Sequence, residues 1–156
     1  MNPGQAFPRT INIDLITHGA AFCGGEKNFL ILKRKKIQMA NALLVFNRNP
    51  YDGTDITWNG LRLADQLLNT GLEVNIFLMN DSVDLARDIT KPPEGYFDLV
   101  QMLKELIAKD IPVKVCGTCN VRCGIHKGEP YFEGAQEAKM AELAQWIKEA
   151  DKVISF

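Results

Sequence analysis

Three cysteines and a histidine fall within eleven residues of this 156-residue chain: Cys116, Cys119, Cys123 and His126, spaced Cys-x2-Cys-x3-Cys-x2-His. Residues of these types can do two kinds of chemistry. A thiolate can act as a nucleophile that accepts sulfur as a persulfide, with a second thiol to resolve it. In that reading Cys116 is the nucleophile and Cys119 or Cys123 the resolving thiol. Alternatively, Cys116, Cys119, Cys123 and His126 are four ligands suited to a zinc-like ion. Zinc sites usually join two close pairs across a longer stretch. One continuous run must instead fold back sharply to wrap an ion. A third reading makes the cysteines small, half-buried residues of no special reactivity.

The surroundings of Cys116 favour an ionised sulfur. Val113–Cys116 reads as a strand, so Cys116 stands at its carboxyl end. Thr118 is placed to cap a short helical turn over Cys119–Arg122. A helix N-terminus and the nearby Arg122 both favour thiolate over thiol. Gly117 leaves room for a partner's sulfur to approach.

The elements that position this loop follow from apolar periodicity. Ala42–Phe46 is an unbroken apolar run, a strand covered on both faces. A turn-rich loop over Asn47–Asp55 leads to a helix over Ile56–Asn69, with Asp55 or Thr54 as its cap and Leu61, Ala64, Leu67 and Leu68 as its apolar stripe. Leu72–Met79 is a second strand, and Ser82 can cap a short helix over Val83–Arg87. Pro92 and Pro93 force a loop. A second long helix spans Phe97–Lys109, with Leu99, Met102, Leu103, Leu106 and Ile107 inward. A last helix covers Ala138–Ala150, with Met140, Leu143, Ala144 and Ile147 on one face, and Val153–Phe156 closes the chain as a strand. Strands alternating with helices predict an α/β fold with a mainly parallel sheet of four to five strands and helices on both faces. In such sheets chemistry gathers at the carboxyl ends of the strands. Those ends lead into Asn47–Asp55, Asn80–Ser82 and Cys116–Gly124.

Residues 1–38 read differently. They mix turn residues with weak periodicity and end in the basic run Lys33–Lys36. Either they form a loosely ordered extension, or Met39 is the natural start of a domain over 39–156. Their balance is +4, leaving −5 for the remainder, a poor match to clustered phosphates. Nucleic acid is not an expected partner. No stretch is apolar enough to span a membrane and no signal peptide is recognisable, so a cytoplasmic protein is expected. Clustered cysteines fit that compartment better than a secreted disulfide scaffold, which would spread them.

Other candidates read as structural. Asp81 suits a turn beside Ser82. The Asn47–Asp55 loop holds only Gly53, too little for a phosphate cradle, so no nucleotide or other cofactor is expected. Trp58 and Trp146 read as packing or subunit contacts, and His18 and Cys23 receive no role. No serine-histidine-acid set and no marked carboxylate pair is present.

The residues also resemble a known family. Asn47-Arg48-Asn49-Pro50-Tyr51-Asp52-Gly53-Thr54 and Asn59-Gly60-Leu61-Arg62-Leu63-Ala64 look like the first βα unit of DsrE/DsrF-like proteins. So do Phe77-Leu78-Met79-Asn80-Asp81-Ser82-Val83, Pro93-Glu94-Gly95-Tyr96, Val115-Cys116-Gly117-Thr118-Cys119 and the ending Ala150-Asp151-Lys152-Val153-Ile154-Ser155-Phe156. The resemblance covers 39–156. It implies a flavodoxin-like three-layer fold, assembly as a dimer, trimer or hexamer, and a role in sulfur trafficking. In the sulfur-relay members a cysteine at the end of this strand carries persulfide sulfur between donor and acceptor proteins. That position here is Cys116. Cys119 matches the second cysteine of a Cys-Gly-Thr-Cys subgroup, and Gly117, Thr118, Arg122 and Asn80 would support the site. Cys123 departs from the pattern. A non-catalytic assembly subunit is the remaining expectation.

Overall fold

The computed structural model describes residues 40–156. The extension read in residues 1–38, with its basic run and Cys23, lies outside the described residues.

Among the described residues five strands form one sheet: β1 (Asn41–Phe46), β2 (Glu73–Leu78), β3 (Val113–Cys116), β4 (Ala135–Ala138) and β5 (Lys152–Ser155), in the order β4-β3-β2-β1-β5. Every pairing is parallel. Four α-helices connect them: α1 (Ile56–Asn69), α2 (Leu99–Ala108), the single turn α3 (Gly117–Asn120) and α4 (Met140–Glu149). A 3-10 segment, Asn80–Ala86, follows β2. The expected α/β architecture is thus present.

Chain direction decides which face each helix covers. Steps from β1 to β2 to β3 run one way across the sheet, and the step from β4 to β5 runs back. Right-handed crossovers therefore place α1 and α2 on one face and α4 on the other. Side chains agree. The Phe77 ring meets Trp146 of α4 edge-on, while Phe46, one row further along the paired strands, stacks on Phe156 and lies against α1. Successive strand residues point to opposite faces. All six residues of β1 are buried, as expected for a strand covered on both sides.

Several local expectations shift. Asp55 does occupy the N-cap of α1, but its carboxylate makes no cap bond there and instead accepts from the Tyr96 hydroxyl. Helix α2 begins at Leu99, because Asp98 caps it by accepting from Gln101 N–H at 2.9 Å. Phe97 is left outside, stacked on Trp58 at 4.8 Å. Ser82 is not a cap. It sits inside the 3-10 segment, donates to Phe46 O at 2.7 Å and accepts from Met79 N–H at 3.0 Å. Strand β4 was not anticipated. Its sequence, Ala-Gln-Glu-Ala, has no apolar run, since it is an edge strand and only Ala138 is buried. On α4 only Leu143 of the expected stripe is buried, and Met140 and Ile147 are exposed.

Candidate functional site: a thiol cluster at the carboxyl end of the sheet

Cys116 ends β3 and is itself the N-cap of α3. This corrects the expectation that Thr118 caps a turn over Cys119–Arg122. The turn starts two residues earlier, and Thr118 lies exposed within it. Ending a strand with Cys116 and starting a helix at Gly117 leaves one turn between Cys116 and Cys119, and a further turn carries the chain to Cys123. The Cys123 N–H donates to Cys119 O at 2.9 Å.

The three cysteines of the loop are free, and one helical turn separates Cys119 from Cys116 on one side and from Cys123 on the other. They differ in access. Cys116 is 5% and Cys119 8% exposed, whereas Cys123 is half-buried. Burial pushes the Cys119 thiol up to about 12, and the neighbouring Cys116 and Cys123 act in the same direction. One contact opposes this. Asn80, in the left-handed region at φ 52°, aims its backbone N–H at Cys119 Sγ, 3.4 Å away. Asn80 therefore belongs to the site through its backbone.

Gly117 serves differently than expected. A Cβ there would lie 2.4 Å from Glu137 Oε1. The space is filled by a carboxylate from β4, not held open for a partner's sulfur. Arg122 is exposed, and its observed link to the loop is its backbone N–H, donating to Cys119 O at 3.2 Å. The cation that organises the site is Arg87.

Arg87 and Asp84 are the residues that sequence reasoning missed. Their side chains are 0% and 1% exposed and meet at 2.6 Å. Arg87 Nη2 donates to Asn120 O at 2.7 Å and to Asn120 Oδ1 at 3.1 Å, and Nε donates to Glu129 O at 3.2 Å. Asp84 accepts from Ile125 N–H at 2.6 Å and from His126 N–H at 3.4 Å. Asp81 accepts from Gly124 N–H at 2.8 Å, so it holds the cysteine loop rather than only its own turn. Gly124, at φ +81°, is required here, because a Cβ would lie 2.4 Å from Asp84 Oδ1. Arg87 also lies over the Tyr131 ring, 5.3 Å from its centroid. The Tyr131 hydroxyl donates to Cys116 O at 3.3 Å and is pushed up to about 12, chiefly by burial. The signal in the sequence was a pair of charges, Asp84 and Arg87, three apart in an otherwise apolar stretch.

The clamp holds 124–126 against the 3-10 segment. Among the described residues no three His, Cys, Asp or Glu side chains form a metal-holding group. Cys116, Cys119, Cys123 and His126 are not gathered as a ligand set.

An all-parallel α/β sheet with free cysteines at the carboxyl end of a central strand defines the class of protein. The model of the DsrE/DsrF-like family matches residues 40–156, and the chain belongs to that family. It is similar to protein YchN of Escherichia coli K12, 40% identical over 120 residues that span 76% of this chain and all of YchN. An uncharacterized protein of Methanopyrus kandleri, MK0008, is 35% identical over 113 residues, 72% of this chain and 91% of its own. The crystal structure of YchN from E. coli superposes with a TM-score of 0.65 at 38% identity, again over 76% of this chain and all of YchN.

Proposed function

We propose that this protein carries sulfane sulfur as a persulfide on Cys116 within a cytoplasmic sulfur relay. The observation that carries the reading is the placement of Cys116. It ends β3 at the carboxyl end of the sheet, stands at the N-cap position of α3, and is followed one turn later by a second thiol, Cys119. The Cys116 thiolate attacks the outer sulfur of a donor persulfide, and the donor thiolate leaves with the electron pair of the broken S–S bond. The reverse exchange passes that sulfur to an acceptor protein. Burial of Cys116 suits storage, since a persulfide out of water is sheltered from stray thiols.

Membership of the DsrE/DsrF-like family, many of whose members serve sulfur relay, supports the same reading. Among the described residues no helix is long and apolar enough to cross a membrane. The proposed partners are sulfur-donor and sulfur-acceptor proteins and further copies of this chain. Exposed Met140 and Ile147 on α4 and exposed Val153 on β5 supply apolar surface for self-association.

The test is sulfur retention. Wild type and Cys116→Ala are loaded with a low-molecular-weight persulfide, freed of donor and weighed intact. Wild type is expected to keep one added sulfur and the variant to lose it. Equal retention by both ends the proposal.

A further inference from the structure

Cys116 is 5% exposed, so a carrier built on it needs a way to open. The end of its strand lies close to the surface all the same. Directly after it, Gly117 is half-buried and Thr118 exposed. The side chain that reaches this point from the surface is that of Tyr131, half-buried, whose hydroxyl donates to Cys116 O at 3.3 Å.

We propose that Tyr131 is the gate on Cys116. Closed, it shelters sulfur held there; swung outward, it admits the sulfur of a donor or acceptor protein. The inference rests on the sulfur-carrier reading and names the residue that controls access to the carrier. With the gate open, Cys116 gives its proton to solvent and its thiolate attacks the outer sulfur of the donor persulfide. The new bond forms at Cys116 Sγ as the bond to the donor sulfur breaks, and the donor thiolate leaves with that electron pair. One S–S bond forms and one breaks, so nothing is oxidised or reduced overall. The gate then closes over the loaded sulfur.

The geometry separates a fixed backbone from a side chain that can swing. Tyr131 is pinned on both sides. Glu129 O accepts from Arg87 Nε at 3.2 Å, and the N–H of buried Phe132 donates to Ala86 O at 2.9 Å. Pro130, between those anchors, has its φ fixed by its ring. Movement is thereby confined to the Tyr131 side chain. Its closed position has a defined seat, since the Arg87 guanidinium carbon lies 5.3 Å from the ring centroid and Arg87 is itself held by buried Asp84. The latch is slight. At 3.3 Å the bond to Cys116 O is long for a hydroxyl donor. A neutral hydrogen bond shifts an equilibrium by only about two- to tenfold. The ring therefore has one resting place and leaves it at small cost.

The reduced full chain is alkylated with iodoacetamide for increasing times, digested with trypsin and mapped by tandem mass spectrometry. Cleavage after Lys114, Arg122 and Lys127 puts Cys116 and Cys123 on different peptides, so Cys123 serves as internal reference. In Tyr131→Phe, which keeps the ring and loses the latch, Cys116 is expected to react about two- to tenfold faster relative to Cys123. In Tyr131→Ala, which loses the cover as well, the increase should be larger. The acceleration should stay constant in urea well below the unfolding midpoint, as for a local swing. After loading with glutathione persulfide, Cys116 in both variants should lose its added sulfur to free glutathione sooner than in wild type. An unchanged Cys116 rate in both variants, or an acceleration that climbs with urea throughout, overturns the gate and leaves the carrier reading intact. Added sulfur that never appears on Cys116 in wild type overturns the carrier reading and the gate with it. Should Tyr131→Ala fail to fold, the nearly isosteric Tyr131→Phe decides alone.

Discussion

The Arg87 guanidinium meets the Asp84 carboxylate at 2.6 Å with both side chains out of solvent, and between them they bond to Asn120, Ile125, His126 and Glu129 of the cysteine loop. A buried pair of this kind is costly to break, because removing one partner leaves an uncompensated charge. Arg87→Met is therefore expected to lower stability by about 3–5 kcal/mol. A lower urea midpoint at unchanged slope checks it. Adding Asp84→Leu should cost less than the two single losses summed, since the second change also removes the stranded charge.

Gly124 meets two demands, a positive φ and the close approach of Asp84. Gly53 has the same φ sign with nothing within 4 Å of a built Cβ. Gly53→Ala should cost only the left-handed penalty, about 1–2 kcal/mol. Gly124→Ala adds a clash with a buried carboxylate that cannot swing away, and a further loss of about 1–3 kcal/mol is expected. Denaturation of both variants, with protease sensitivity of 120–129 as a local readout, separates the two effects.

The Cys119 thiol, pushed up from 9.0 to about 12, links stability to alkaline pH. Between those values the folded chain holds a proton that the unfolded chain has released, so stability falls as pH rises from about 9 toward 12. Below that window this thiol makes stability neither rise nor fall. Tyr131, raised from 10.0 to about 12, adds to the fall above pH 10. Urea midpoints measured across this range should decline in wild type, decline less in Cys119→Ser, and lose part of the steepness above pH 10 in Tyr131→Phe. A slope unchanged by Cys119→Ser would contradict the burial of that proton.

Self-association through α4 is expected to depend on Ile147, 46% exposed beside Met140. Ile147→Glu places a charge in the apolar contact and should weaken association about tenfold or more, equal to about 1.4 kcal/mol. Sedimentation velocity over a concentration series reads this directly. An unchanged distribution would overturn self-association through α4.

Much of the architecture was legible in the sequence. Helix α1 has the expected bounds, Ile56–Asn69, because its apolar stripe, Leu61 to Leu68, repeats at helical spacing and Gly71 stops it. Strand β3 also ends at Cys116 as read, since Gly117 follows and opens the next turn. Strand β4 was illegible because an edge strand buries too little to leave a pattern. Helix α4 was located, but how much of its apolar stripe is buried was not.

By itself the sequence determined four of the five strands, the three long helices and the position of three thiols at and just beyond the end of a central strand. Both follow from local spacing, which repeats every two or three to four residues and is read within a short window. Only the tertiary structure decided which thiol is sheltered and which is reachable. It also decided that Arg87 and Asp84 anchor a loop lying 33 to 42 residues further along the chain. Contacts at that separation form because the parallel sheet lays the end of β2 beside the end of β3. No local periodicity records which loops such a sheet will bring together.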